Sequence, residues 1–250
     1  DPDWMLLSYG KAVSATSCDP GHPAENAVDE NVQTWWRATC AKPGQRLTMD
    51  LGEIMEVHAV QVNFADDPEA EIPCPAELVS GPDMLRYIDL TEHHTRWLME
   101  ASSDDVCWET LADKREADTD LSHDLVVVES GIRARYIRLT VTEVPFHVPP
   151  CVSGLRIFGK GNGKKPGQAA FTARRIGDLD FTASAESPDA MGFNILWGSD
   201  EQHLYHSWLV MGSSLREKRI GALVRGQAYT VRVDAFNENG ITKGKAVQLE

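Results

Sequence analysis

The stretch Asn26-Ala27-Val28-Asp29-Glu30-Asn31-Val32-Gln33-Thr34-Trp35-Trp36 sets an acidic, turn-forming loop directly against two tryptophans. Asp29 and Asn31 carry side chains that hydrogen-bond their own backbone two residues on, so they turn the chain here. Their oxygens, the Thr34 hydroxyl and the loop carbonyls are also hard ligands of the kind calcium takes, about six to eight at a time. Trp35 and Trp36 are sequence neighbours, and in an extended chain neighbours face opposite ways. One can fill a core while the other is left for a surface.

Around this stretch the chain alternates like β-strand. Val60-Gln61-Val62-Asn63-Phe64 and Ile137-Arg138-Leu139-Thr140-Val141-Thr142 place apolar residues at every second position, as half-buried strands do. Leu125-Val126-Val127-Val128 is a short apolar run of strand length. Phe193-Asn194-Ile195-Leu196-Trp197-Gly198 and Tyr229-Thr230-Val231-Arg232-Val233-Asp234-Ala235 alternate again. Long helical periodicity is missing, and Gly and Pro punctuate the segments, which predicts an all-β chain of sandwiches or barrels. In Gly159-Lys160-Gly161-Asn162-Gly163-Lys164-Lys165-Pro166-Gly167, glycines and a proline break any regular element. The expected division is a domain over residues 1–160, a linker over 161–166 and a second domain over 167–250.

The chain has 250 residues and a net charge of −14, unevenly spread. Residues 1–162 hold 28 acidic and 13 basic side chains, a balance of −15; residues 163–250 hold 10 and 11, a balance of +1. An acidic surface repels nucleic acid and anionic membrane and is compatible with neutral ligands such as sugars, or with a cation. No run approaches the roughly 18 apolar residues of a membrane helix. The chain opens Asp1-Pro2-Asp3 with no initiator Met and is read as a mature or excised fragment. The five cysteines, Cys18, Cys40, Cys74, Cys107 and Cys151, show no zinc spacing. Cys18 and Cys40 flank the opening loop and can be bridged if their strands meet; the alternative is that most are small buried hydrophobes.

Four ordered pieces carry a resemblance. They are Ser14-Ala15-Thr16-Ser17, the opening stretch from Ala27 to Trp36, Leu47-Thr48-Met49-Asp50-Leu51-Gly52, and Arg135-Tyr136-Ile137-Arg138-Leu139, closed by Leu155-Arg156-Ile157-Phe158-Gly159. Over about residues 5–160 the chain resembles the discoidin, or coagulation factor 5/8 type C, superfamily, which includes the family 32 carbohydrate-binding modules. The resemblance implies a jelly-roll β-sandwich of the galactose-binding-like kind. Leu223, Gly226 to Val233 and Ala235-Phe236-Asn237-Glu238-Asn239-Gly240 resemble a fibronectin type III-like β-sandwich, with Tyr229 as the corner tyrosine bonding back to nearby backbone. Gln61 to Asp66, Glu100 to Asp104 with Trp108, and His123-Asp124 look like the region C-terminal to the catalytic domain of some bacterial glycoside hydrolases similar to family 43.

That likeness implies a noncatalytic accessory region of an exported bacterial enzyme, at the cell surface or in the periplasm, with a catalytic domain upstream and a plant-type polysaccharide as ligand. The alternative is a purely structural spacer or docking module. Adhesion through hydrophobic spikes or basic rims fits the −15 balance poorly. The resemblance also assigns Trp36 to the core, leaving Trp35 to meet a sugar ring, with Arg37, His22, Phe64, Asp66 and Asp67 around it. The bland reading of Trp35 is packing against another domain. Members of the family often bind calcium through the equivalents of Asp29 and Thr34, here with Asn31 between; the acid they use on the last strand is replaced by Gly154. Glu25 or Glu30 can compensate, or Asp29, Asn31 and Thr34 simply form an Asx-type turn. The run Asp66 to Glu71 and the group Asp118, Asp120 and Asp124 are expected on solvated loops. His93 and His94 are expected on opposite faces of a strand, and His123 in a structural hydrogen bond. No nucleophile elbow, phosphate loop or zinc-protease motif occurs.

Overall fold

The computed structural model describes residues 4–72, 78–81, 84–87, 91–221 and 223–249. The chain divides into two compact units. One is Leu7–Gly159; the other is Lys160–Glu250, with which the segment ending at Leu6, including strand β1 (Met5–Leu6), groups. No α-helix occurs among the described residues.

The first unit is built on two long strands, β4 (Gln45–Phe64) and β9 (His123–Glu143), paired antiparallel, among the shorter strands β2 (Ala12–Ala15), β3 (Trp36–Arg37), β5 (Leu78–Gly81), β6 (Met84–Tyr87), β7 (Arg96–Ser102), β8 (Glu109–Asp113) and β10 (Cys151–Lys160). The main path runs β10-β4-β9-β7-β8, with β2 on β4 and β3 on β10; β5 and β6 pair separately as a hairpin. The alternating pattern explains why one continuous sheet can enclose a core. In β4, Leu47, Met49, Leu51, Met55 and Val57 are buried at odd positions, but Val60 and Val62 are buried at even ones. The phase reverses at His58 and Ala59, where the register against β9 shifts. From Val57 opposite Ile132 to Ala59 opposite Val127, β4 advances two residues while β9 advances five, and an odd slip of this kind exchanges the faces beyond it. A second break separates Asp50 from Met55. Residues 45–50 therefore lie with β2 and the end of β9, and residues 55–63 with the start of β9. Both halves send side chains into the same core, with Trp36, Trp97, Ile137, Leu139 and Val152. The sheet is thus folded over as a β-sandwich.

Motif pieces far apart in sequence meet here. Arg135 donates Nε and Nη2 to the two oxygens of Asp50, both at 2.7 Å. Arg138, opposite Glu100 on the neighbouring strand, bonds it at 2.9 Å and lies 3.9 Å above the Trp108 ring. Trp36 is fully buried and donates its indole N–H to the Ser17 carbonyl at 3.0 Å, fixing the opening stretch to the strand-end segment before it.

The second unit holds β11 (Ala170–Arg175), β12 (Phe181–Glu186), β13 (Gly192–Gly198), β14 (His206–Met211), β15 (Ser214–Ile220), β16 (Thr230–Asn237), β17 (Gly240–Thr242) and β18 (Val247–Gln248). One sheet is ordered β11-β12-β15 and the other β14-β13-β16-β17, with β18 on β16. Phe181 and Ala183 of the first meet Phe193, Ile195, Trp197, Val231 and Val233 of the second in one core. The buried Tyr229 hydroxyl accepts the Val224 N–H at 3.1 Å, the backward bond expected of it.

The glycine-rich segment expected to be a plain linker is fastened. The Gly161 N–H donates to the Glu238 carbonyl at 3.0 Å and the Gly163 N–H to Asn239 Oδ1 at 2.7 Å. The side-chain amides of Asn237 and Asn239 both donate to the Lys164 carbonyl, and the Thr242 hydroxyl to the Pro166 carbonyl at 2.6 Å. The segment lacks a ladder of its own, and side chains some 75 residues away satisfy its backbone instead.

Gly159 of β10 faces the backbone of β4 so closely that a Cβ there would sit 1.9 Å from the Glu56 carbonyl oxygen. Gly159→Ala must push the two strands apart, and the expected cost is about 1–3 kcal/mol, the range for overpacking. Gly167→Ala, where no atom lies within 4 Å, is the control and leaves stability unchanged. Chemical denaturation of the two variants checks this; equal stability would mean β10 does not pack on β4 as described.

Candidate functional site

The candidate site is built where β3 meets β10. The register pairs Trp36 with Val152 and Arg37 with Cys151. Trp36 and Val152 point into the core, so Arg37 and Cys151 share the outer face. The segment after β4 folds over that face: the Ala65 N–H donates to the Cys151 carbonyl at 3.0 Å. This is why Asp67 is buried, at 6% exposure, although the run Asp66 to Glu71 was expected to face solvent. A carboxylate removed from water needs a partner. Arg37 Nε donates to Asp67 Oδ2 at 2.8 Å, and the Glu69 N–H donates to Asp67 Oδ1 at 3.0 Å. Arg37 Nη1 donates to Asp19 Oδ2 at 3.2 Å and lies 4.0 Å from Glu69. The Asp67 carboxylate raises Arg37 further above its already high proton affinity. Among the described residues Arg37 Nη2 has no hydrogen-bond partner.

Arg37 also joins the two halves of the predicted sugar-binding set. On one side its N–H donates to the His22 carbonyl at 3.2 Å. The His22 and Trp35 rings are stacked, with centroids 4.5 Å apart and planes 17° apart. Asn26 holds the Trp35 carbonyl at 3.1 Å, while the Trp35 indole N–H is buried with no hydrogen-bond partner. One face of the indole is therefore covered by imidazole, and the ring is half-buried rather than a bare platform.

On the other side Asp67 borders a cavity of about 160 Å3. Phe64, Phe146 and Val148 give it apolar wall, and Asp66, Thr95 and Asp120 give it polar groups. Phe64 and Asp66 thus meet at this cavity, while His22 and Trp35 lie on the other side of Arg37. The buried Thr95 hydroxyl donates to Asp120 at 2.6 Å. Phe146 and His147 both hold left-handed backbone, at φ 61° and 53°, an uncommon conformation for such side chains. The His93 ring meets Phe146 at 4.3 Å. Burial pushes the Cys151 thiol up to about 12, so at neutral pH it is a wall and no nucleophile.

Asp67 was expected at the loop end beside Phe64 and Asp66, but not as the buried partner of Arg37; Thr95, Asp120, Phe146 and Cys151 were missed as site residues from sequence. Their backbone positions carry no local motif. The only local hint at Asp67 is the proline that follows it, which marks a turn and says nothing of burial.

Asp29, Asn31 and Thr34 form a separate, self-contained turn. Asp29 Oδ1 accepts the Asn31 N–H at 2.8 Å, Asn31 Oδ1 accepts the Gln33 N–H at 3.1 Å, and the Thr34 hydroxyl donates to Asp29 Oδ2 at 2.6 Å. Glu30 is held by the fork of Arg156, at 3.0 and 2.8 Å. At Gly154 a Cβ would lie 2.7 Å from the Asn63 amide nitrogen, so a larger residue there must displace the Asn63 side chain. Among the described residues no group of three His, Cys, Asp or Glu side chains is gathered. No role is derived for calcium here.

Other expectations are corrected by the packing. Asp124 is buried in β9, 3.7 Å from Lys114, rather than on a solvated loop. His93 and His94 precede β7 outside any strand; His94 lies 3.9 Å from Glu143. Cys18 and Cys40 are free thiols, and Cys18 and Cys107 are exposed rather than buried. Cys74 lies outside the described residues. His123 bonds Asn63 Oδ1 at 3.0 Å, the structural contact expected of it.

No protein-family model and no curated protein matches the chain. Among solved structures it is similar to chitosan-binding module 1 of a chitosanase/glucanase from Paenibacillus sp. IK-5, at 17% identity and a TM-score of 0.47 over 62% of this chain and 99% of that one. It is also similar to the family 32 carbohydrate-binding module of Clostridium perfringens NanJ, solved with galactose, at 18% identity and a TM-score of 0.45 over 62% and 98%. A third similarity is to the family 32 module of AlyQ, solved with 4,5-unsaturated mannuronic acid, at 19% identity and a TM-score of 0.44 over 61% and 97%.

Removing one partner of a buried ion pair typically costs about 3–5 kcal/mol, because the other charge is stranded. Arg37→Ala, which strands Asp67, is expected to destabilise the first unit by about that amount, and Arg37→Lys to recover only part of it, since a single ammonium cannot reproduce the fork. Asp66→Ala, at an exposed position, is expected to change stability by less than about 0.5 kcal/mol. Urea unfolding followed by tryptophan fluorescence checks the contrast; equal effects at the two positions would contradict the buried pair.

Proposed function

We propose that the first unit is a noncatalytic carbohydrate-binding module whose ligand site is the loop end described above. The observation that carries this reading is the cavity at Phe64 and Asp66, in which apolar ring faces and hydroxyl and carboxylate groups stand together. A sugar offers the complementary surface, an apolar ring face edged by hydroxyl groups. Arg37 Nη2 supplies an uncommitted donor beside it, and the His22–Trp35 stack a second aromatic surface.

The ordered sequence pieces that resemble the discoidin superfamily support the same reading. They extend it to an accessory region of an exported bacterial glycoside hydrolase similar to family 43, acting on a plant-type polysaccharide, with a fibronectin type III-like second unit. The rival reading, a docking module, is favoured by one observation: His22 already covers one face of Trp35.

Calorimetric titration with arabinan, xylan and galactan oligosaccharides separates the two. Binding of at least one of them is expected, weakened about tenfold or more by Phe64→Ala and by Trp35→Ala, since fully burying a large apolar side chain is worth about 1.5–3 kcal/mol. Wild type and variants alike failing to bind any of the three would remove the binding role and leave docking.

A further inference from the structure

The second unit holds a cavity of about 580 Å3, larger than the one at the loop end and independent of it. It is bordered by Trp4, Lys160, Lys165 and Lys243, with Glu238 and Asn239 at the β16–β17 turn. Its floor is the fastened glycine segment. A Cβ at Gly161 would lie 2.2 Å from Asn239 Oδ1 and 2.8 Å from the Glu238 carbonyl, so backbone packs directly on backbone and the floor cannot be filled from below. Asn239 is fully engaged in holding that floor, through Gly163 and Lys164.

The lysines are different. Lys160, Lys165 and Lys243 are exposed, and among the described residues none of them forms an ion pair. Among the described residues, three lysines and one carboxylate, Glu238, line the cavity. This local excess of positive charge stands out on a chain whose net charge is −14. Unneutralised ammonium groups around a concave surface focus potential into it and draw anions. Three separate lysines, each a point charge on a flexible stem, suit a ligand that carries several separate negative charges. Trp4 adds an aromatic side chain, which suits a ring-containing ligand. The volume lies within the range of about 300–1,000 Å3 usual for small-ligand sites.

We infer that this cavity is a second ligand site, selective for an anionic saccharide whose carboxylates are distributed along it, that is, a short uronate oligosaccharide. The site is separate from the loop end of the first unit and does not depend on that reading.

The test is calorimetric titration of the whole chain with trigalacturonate, with its fully methyl-esterified form and with inorganic phosphate. Trigalacturonate is expected to bind, the uncharged ester at least about tenfold more weakly, and phosphate without competing at equal concentration. The double variant Lys165→Gln/Lys243→Gln should lose at least about tenfold in affinity for trigalacturonate, and raising the salt should weaken the wild type toward the variant. Trp35→Ala should leave this binding unchanged, which keeps the result separate from the loop-end site. The inference is overturned if trigalacturonate does not bind, if acid and ester bind alike, if the lysine variant matches wild type, or if phosphate competes equally.

Discussion

Asp67 carries a carboxylate into a place where water reaches almost none of it, and the loop end of the first sandwich is arranged around neutralising that charge. Arg37 can do so because β3 is only two residues long and pairs with the start of β10, which aims Arg37 away from the core. The same register puts Trp36 inside. Trp36 then ties the strand to Ser17, and Arg37 ties it to Asp19 and Asp67. One dipeptide thus joins the core to two loops, one holding Ser17 and Asp19 and one holding Asp67, and the cavity, the His22–Trp35 stack and the uncommitted Arg37 donor all follow from where it sits.

The architecture beneath was readable because it depends on local periodicity. Alternation in β4, β9, β13 and β16 predicted their buried faces, and the breaks between Asp50 and Met55 and at His58 show where regular pairing had to fail so that the sheet could fold over. The turn of Asp29, Asn31 and Thr34 was equally readable, because its bonds join residues two to five apart. The unreadable features are all long-range. Arg37 meets Asp67 across 30 residues, and the glycine segment is held by amides more than 70 residues away. An acidic run and a glycine-rich run each look solvated until the distant partner is known.

The two units differ in charge as they do in position along the chain. The first is strongly acidic, and its cavity offers carboxylates and hydroxyls, which suits uncharged sugars. The second is nearly neutral overall and gathers three lysines at one cavity. Together they make a chain with two chemically distinct concave surfaces.

The central claim is the location of the neutral-sugar site, and amide and indole chemical-shift mapping tests it most directly. When the 15N-labelled chain is titrated with the neutral oligosaccharide that binds it, the account predicts that the Trp35 indole signal and the amides of residues 64–67 and 146–151 shift together along one saturation curve. Shifts absent from those residues, or confined to another part of the chain, would contradict it.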